Sequence, residues 1–438
     1  MTSPKMLDYF GYLKAFHQAM RDAKLERAEL VKLIFKRLKN VLVSAYLHVP
    51  YYRKIMETSG YNPIKDYCGP KDLAILPITT KEDIQNTGIE ATAGITKDLT
   101  KYYHINTSGS TGIPFRVYRT PFESFVNIAK LQRMLFANGA SIRDKTMTIG
   151  SPQIVQYKKR IIQKLGFFRQ KGVNYVENSP KTMVDAFLAY KPDILCGNRS
   201  HLDLMAMEMR RRGIRAKDLK LLITGAEVIH DGNRQLYRER FGIEAIEHYG
   251  SIEMGIVAHE TQAHDGLHLC EDLTFFEFLN ESGQPVSPGQ AGRVVLTDLS
   301  ATLMPFIRYE QGDRVIYEVN HNCCGCSTRR LTKIIGRDNQ FAKLSDGTML
   351  SNHDFNVVIE EFYKIIQFRI IQKESDYFQI LIAADVDYFN NIKDDLLNDL
   401  NKIRTKVKVN LVIEIVRVEK IETDENGKIR TFVSELKE

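Results

Sequence analysis

The chain has 438 residues, of which 43% are hydrophobic and 26% charged, and carries a net charge of +7. Domains run to roughly 100–200 residues, so two or three folding units are expected, and the composition excludes bulk disorder. No stretch approaches the ~20 uninterrupted apolar residues of a membrane span, and Met1-Thr2-Ser3-Pro4-Lys5 opens no apolar signal core. The expectation is a cytoplasmic protein without membrane insertion.

In chain order, residues 5–60 read as helical, with Leu30, Ile34, Leu38, Val41 and Val43 recurring at helical spacing. The pattern stops at His48-Val49-Pro50, because proline disfavours helix in the residue before it. In Leu76-Pro77-Ile78-Thr79-Thr80-Lys81-Glu82-Asp83 a threonine is placed to cap a short helix. Residues 1–100 thus form a mainly helical lead-in. From about 100 to 260, apolar runs at 146–149, 194–196 and 221–224 alternate with amphipathic stretches at 121–137, 181–190, 200–212 and 231–241. That alternation predicts parallel strands covered by helices.

Between 266 and 336, alternating residues at 273–279, 292–298 and 313–319 predict antiparallel strands. After Gly336-Arg337 the order becomes strand, helix (353–364), strands (367–373 and 377–384), helix (388–404) and strand (409–418). This is the pattern of a small α+β, ferredoxin-like unit. The fold class is α/β. Residues 1–336 form a large domain of layered helices and sheets, and residues 337–438 a small C-terminal one. Basic clusters such as Arg210-Arg211-Arg212 and Lys158-Lys159-Arg160 read as solvated helix faces or as attraction for an anionic substrate. No motif points to nucleic acid.

The strongest chemical signal is Asn106-Thr107-Ser108-Gly109-Ser110-Thr111-Gly112-Ile113-Pro114, set between two strand-like runs. Glycines let a backbone turn tightly and bring its N–H groups to an anion, and four hydroxyls add donors. This suits a polyphosphate, although a polar Ser/Gly hairpin has the same composition. The Gly-Lys-Ser/Thr ending of a Walker loop is missing. Gly225-Ala226-Glu227 follows the strand at 221–224, where α/β sheets bind ligands. Then come His248-Tyr249-Gly250-Ser251-Ile252-Glu253, Ile307-Arg308-Tyr309-Glu310-Gln311-Gly312-Asp313, Ile335-Gly336-Arg337-Asp338 and Asn426-Gly427-Lys428-Ile429-Arg430.

In that order these strings resemble the adenylate-forming superfamily of acyl-CoA synthetases, luciferases and peptide-synthetase adenylation domains. The chain is most similar to the phenylacetate–CoA ligase branch and its capsular-polysaccharide-biosynthesis (CapK-like) relatives, along essentially its whole length. The resemblance implies ATP-dependent activation of a carboxylic acid as an acyl-adenylate, with CoA as acyl acceptor. The loop Thr107, Ser108, Gly109, Ser110, Thr111 and Gly112 would hold the β- and γ-phosphates. Glu253 would bind Mg²⁺, as hard cations take oxygen ligands, unless it is a surface carboxylate. Gly225, Ala226 and Glu227 would line the adenine, on which Tyr249 stacks, followed by Gly250 and Ser251. Asp313 would accept from the ribose hydroxyls, and Arg337 would sit near the ribose and a domain hinge. Lys428 would offset the repulsion between carboxylate and triphosphate, unless it is only a turn lysine. Residues 337–438 would be a mobile lid. Departures from the family pattern are Ile113 for a lysine, Ile252 for a threonine, and Asn339-Gln340 at the hinge.

Of six cysteines, Cys323, Cys324 and Cys326 crowd together, while Cys68, Cys196 and Cys270 stand alone. A large chain of this kind is not a disulfide scaffold. Relatives carry a Cys-x-Cys beside the ribose-binding strands, with further metal ligands earlier in the chain. The resemblance therefore implies a structural zinc on His259, His268, Cys324 and Cys326, with Cys323 and Cys270 as substitutes and His264 nearby. The other reading is a loop of reduced thiols. Three functions follow: acyl transfer to CoA, acyl transfer to an amine or hydroxyl of a sugar or carrier protein, or a non-catalytic nucleotide-binding scaffold. The acid pocket is expected around 146–153, 196–200 and 225–254. Its polar residues hint at a hydroxylated or charged acid, with Arg199 either pairing a second carboxylate or lying on the surface. The long N-terminal helix offers a surface for a homodimer.

Overall fold

A computed structural model describes residues 7–94, 102–107, 115–150, 163, 166–175, 177–319, 327–337, 341–362, 364–422 and 429–436. They group into two compact units, each made of two separate stretches: Met1–Gly139 with His248–Ile335, and Ala140–Glu247 with Gly336–Glu438. Among the described residues no helix is long and apolar enough to cross a membrane.

The first unit opens with helices α1 (Leu7–Asp22), α2 (Arg27–His48) and α3 (Pro50–Thr58). Leu30, Ile34, Leu38, Val41 and Ala45 bury one face of α2. Val49 is extended, as a residue before proline must be, but Pro50 then occupies the first turn of a new helix rather than ending the helical region. Short helices α4 (Lys81–Thr87) and α5 (Ile89–Thr92) follow. The Thr80 hydroxyl accepts from the Asp83 N–H, and the Asp83 carboxylate accepts from the Thr80 N–H, closing the expected cap. Strands β1 (Tyr103–Thr107) and β2 (Phe115–Arg119) pair antiparallel and lead into α6 (Pro121–Ala137). A capping box of Thr120 and Glu123 starts α6, with Pro121 in its first turn.

In the second unit, β3 (Lys145–Gly150), β4 (Arg169–Asn174), β5 (Ile194–Asn198) and β6 (Leu221–Gly225) are parallel, in the order β4-β3-β5-β6. Helix α7 (Pro180–Tyr190) links β4 to β5, α8 (Arg199–Arg211) links β5 to β6, and α9 (Asp231–Phe241) follows β6. β6 is buried at all five residues, as a strand covered on both faces should be.

The chain then returns to the first unit through β7 (Ala245–Ser251), β8 (Gly255–His259), β9 (Leu267–Leu269), β10 (Thr274–Leu279), β11 (Ala291–Asp298), β12 (Tyr309–Glu318) and β13 (Arg330–Arg337). Their order is β10-β11-β12-β13-β9-β8-β7, with β10–β11, β11–β12, β13–β9, β9–β8 and β8–β7 antiparallel. One core of Phe276, Phe278, Val294, Leu296, Phe306 and Leu331 runs beneath this sheet.

The C-terminal stretch holds β14 (Phe341–Lys343), β15 (Met349–Ser351), α10 (Asn352–Glu360), β16 (Gln367–Glu374), β17 (Tyr377–Ala383), α11 (Val386–Asn401), β18 (Val412–Val418) and β19 (Phe432–Ser434). The expected strand–helix–strand–strand–helix–strand order runs from β15 to β18. The sheet is β18-β17-β16-β19, so the last strand, rather than β15, lies beside β16. β15 is only three residues long and pairs with β14. Ile366 joins the core formed by α7, α8 and α9, and the Asn233 side-chain amide donates to the Ile366 carbonyl at 2.8 Å.

Candidate active site

The first unit carries Thr107 at the end of β1, Tyr249, Gly250 and Ser251 at the end of β7, Glu253 in the turn that follows, and Asp313 within β12. β1 and β2 pair with Thr107 opposite Phe115, so the Ser/Gly segment is the connection of a two-stranded hairpin. Ser108, Gly109, Ser110, Thr111 and Gly112 lie outside the described residues, as do Asn339, Cys324, Cys326 and Lys428. Thr107 ends β1, and Arg337 ends β13.

Two irregularities aim the polar groups. In β12 the register against β11 shifts between Arg293, opposite Arg314, and Val295, opposite Glu310. Gly312, inside that bulge, has φ +79°, which an L side chain rarely adopts. Asp313 follows Gly312 within the same bulge. In β7 the register against β8 shifts between Tyr249 and Gly250. A Cβ on Gly250 would lie 2.2 Å from the Gly255 carbonyl oxygen, so only glycine fits. The Tyr249 hydroxyl donates to Asp313 Oδ2 at 2.7 Å, and both residues are buried. The turn 252–254 then presents Glu253, whose Oε1 lies 3.4 Å from the Tyr309 hydroxyl. Glu253 is 8% exposed, so it is not the surface carboxylate of the blander reading. Arg308, at φ +47°, is tied to Glu277 and gives the site no cation.

The second unit carries Gly225, Ala226 and Glu227 at the end of β6. Ala226 sits at φ +67°, a strained backbone of the kind that gathers at functional loops. The Glu227 carboxylate is bound by the start of α8: the Ser200 N–H donates at 2.9 Å and the Ser200 hydroxyl at 2.8 Å, and Arg199 lies 3.5 Å away. A helix N-terminus favours an anion in this way. Arg199 is 2% exposed, which corrects the surface reading. It pairs with Asp203 at 3.2 Å as well as with Glu227, so both its partners are internal rather than a substrate carboxylate. Tyr237 and Asn233 also donate to Asp203. Burial pushes the Asp203 carboxyl up to about 7, while Arg199 opposes the rise. Burial likewise raises the Cys196 thiol to about 12 and leaves it unreactive.

His248, His259 and His268 line up across three strands: His248 faces His259 in β7–β8, and His259 faces His268 in β8–β9. Burial pushes His248 and His259 down to about 4, so both are neutral near pH 7. His259 Nδ1 lies 3.0 Å from the Glu260 carbonyl oxygen, and His268 Nε2 lies 2.9 Å from Asp265 Oδ1. Among the described residues no group of three or more His, Cys, Asp or Glu is arranged to hold a metal. Cys270, named as a substitute ligand, is buried in the core.

Sequence reasoning missed Arg119 and Lys130, and gave no role to Tyr309 within the 307–313 string. For Lys130 a signal existed: it shares the spacing of Val126, Ala129, Arg133 and Met134 on the buried face of α6.

Residues 344–435 match the family model described as the CapK C-terminal domain. A phenylacetate-coenzyme A ligase of Thermus thermophilus is 23% identical over 434 residues, covering 93% of this chain and 96% of the relative. One from Aromatoleum evansii is 28% identical over 333 residues, 72% of each chain. Among solved structures, a 2-hydroxyisobutyryl-CoA ligase in the postadenylation state, in complex with R3-HIB-AMP, superposes with a TM-score of 0.79. It is 18% identical, with 95% of this chain and 91% of that chain covered.

Proposed function

We propose that this chain, similar to phenylacetate–CoA ligases and matching the CapK C-terminal domain, is an adenylate-forming enzyme that activates a carboxylic acid with ATP and passes the acyl group to CoA. A carboxylate oxygen attacks the α-phosphorus of ATP and pyrophosphate leaves. The CoA thiolate then attacks the acyl carbonyl, forming the thioester and releasing AMP. The curated relatives are named for CoA ligation of phenylacetate, and the structural neighbour was captured with an acyl-AMP.

The observation that carries the reading is the buried Tyr249–Asp313 pair beside the Glu253 turn. A carboxylate offers about four lone-pair positions, so accepting from Tyr249 is compatible with accepting from ribose hydroxyls. The bond would fix the Tyr249 ring for stacking on adenine. Gly225, Ala226 and Glu227 would border the adenine through their backbone, since the Glu227 carboxylate is engaged by Ser200. Glu253 suits Mg²⁺ as an oxygen donor, and the cation would neutralise phosphate charge. Lys428 would stabilise charge at the α-phosphate, the 107–112 loop would hold the outer phosphates, and residues 337–438 would act as the lid with Arg337 near its hinge. His259 and His268 fit two positions of a structural zinc site, being cross-strand neighbours with a neutral imidazole at His259.

The test is pyrophosphate release with ATP and Mg²⁺ across aryl, hydroxy, amino, fatty and uronic acids, with and without CoA. Release amplified by CoA for one acid supports the proposal. Release indifferent to CoA redirects the acyl group to a sugar or carrier protein. Failure of ATP to bind at all would leave neither reading standing.

A further inference from the structure

The turn Ile252-Glu253-Met254 is held by two buried cations. Arg119, which ends β2, donates from Nη2 to the carbonyl of Glu253 at 2.6 Å and to that of Ile252 at 3.2 Å. Lys130, on α6, donates from Nζ to the carbonyl of Met254 at 2.9 Å. Three successive carbonyls of one hairpin loop are thus received by protein cations. Lys130 is completely buried. With its amide turned so that the oxygen faces these donors, Asn127 accepts from Arg119 Nε and Nη1 at 3.0 Å, and Arg119 lies 3.9 Å from Asp298.

The turn rests directly on the helix. Gly255 has φ +66°, and a Cβ there would lie 2.4 Å from the Asn127 side chain. The Ser251 hydroxyl accepts from the Met254 N–H at 3.1 Å and closes the turn from its other end. Helix α6, strand β2 and the β7–β8 hairpin therefore meet as one rigid mount.

An ammonium sealed from water is expensive; burial lowers the Lys130 pKa, and the nearby Asp298 carboxylate opposes that fall. On the same buried face of α6, Val126, Ala129 and Met134 are apolar, while the other buried cation of that helix, Arg133, is paired with Asp272 at 2.9 Å. The loop the two cations hold is the one that carries Glu253. A carboxylate that ligates a metal works only when its backbone is fixed, and groups behind a ligand commonly set its orientation.

We propose that Lys130, together with Arg119, is a positioning residue for Glu253. It holds the carbonyls of the 252–254 turn so that the carboxylate meets the nucleotide-bound divalent cation in one pose. This rests on the reading of Glu253 as the Mg²⁺ ligand.

The test is the Mg²⁺ dependence of pyrophosphate release at saturating ATP and acid, measured for Lys130→Met, Glu253→Gln and the double variant. Lys130→Met keeps the length of the side chain and removes the charge. The Mg²⁺ concentration for half-maximal rate should rise about tenfold, with the KM for the acid unchanged and the melting temperature retained. In the Glu253→Gln background, Lys130→Met should add no further shift, which a general structural role would not produce. If Lys130→Met does not fold, Arg119→Gln carries the same comparison. A shift in Glu253→Gln with none in Lys130→Met or Arg119→Gln overturns this inference and leaves the Glu253 reading intact. No shift in Glu253→Gln itself overturns that reading, and the inference with it.

Discussion

Replacing Tyr249 by phenylalanine removes one hydroxyl and keeps the ring. That hydroxyl donates to Asp313 Oδ2 at 2.7 Å, with the two residues 8% and 5% exposed. A hydrogen bond to a charged group contributes about 1.5–3 kcal/mol net, and its loss leaves a buried carboxylate short of a donor. At about 2–4 °C per kcal/mol for a unit of this size, the melting temperature should fall by roughly 3–12 °C. Asp313 would also lose the bond that fixes its rotamer. The KM for ATP should then rise about tenfold, which corresponds to ~1.4 kcal/mol, with kcat preserved because the stacking ring remains. Differential scanning fluorimetry and pyrophosphate release at varied ATP read the two effects. Asp313→Asn should lower ATP affinity further, and the double variant should show a coupling energy of about 1 kcal/mol or more. If Tyr249→Phe melts like the wild type and keeps its KM for ATP, the hydroxyl does not organise Asp313 and the nucleotide wall is wrongly assigned.

Three further outcomes follow from the residues. Lys428→Ala should slow pyrophosphate release by about 10²–10³-fold while still transferring a supplied acyl-adenylate to CoA; equal loss of both half-reactions would remove its assigned role. Gly250→Ala forces a Cβ to 2.2 Å from the Gly255 carbonyl and should abolish soluble expression, whereas Gly289→Ala, with φ +83° and open space, should cost only about 1 kcal/mol. His248 and His259 have folded pKa values near 4 against an ordinary 6.5, so the unfolded chain binds more protons between those values. The stability they contribute is therefore full above pH 6.5 and lost as the pH falls toward 4, by up to about 3 kcal/mol per group. His248→Gln should flatten that acid limb in a melting-temperature titration, and an unchanged slope would show that His248 is not held neutral by the fold.

The parts of the molecule legible in the sequence are those whose cause is local. Helices at 121–137 and 231–241 coincide with α6 and α9 because caps, proline and glycine punctuate them within a few residues. The strand-end loops were legible because a bulge or close backbone approach demands glycine at Gly250 and Gly312 whatever surrounds it. The supports of those loops were not legible, because their partners are distant in the chain. Nothing near Lys130 announces the Met254 carbonyl 124 residues away, nor does Arg199 announce Glu227 beyond the following helix. The same distance explains the misread polarity of 196–200. Arg199 read either as a partner for a second substrate carboxylate or as a surface residue, yet its charge is turned to Glu227 and Asp203. Removing Arg199 from the set of substrate-facing groups removes the main reason to expect a second carboxylate on the acid. A neutral aryl or small hydroxy acid then becomes the first class to try in the pyrophosphate assay.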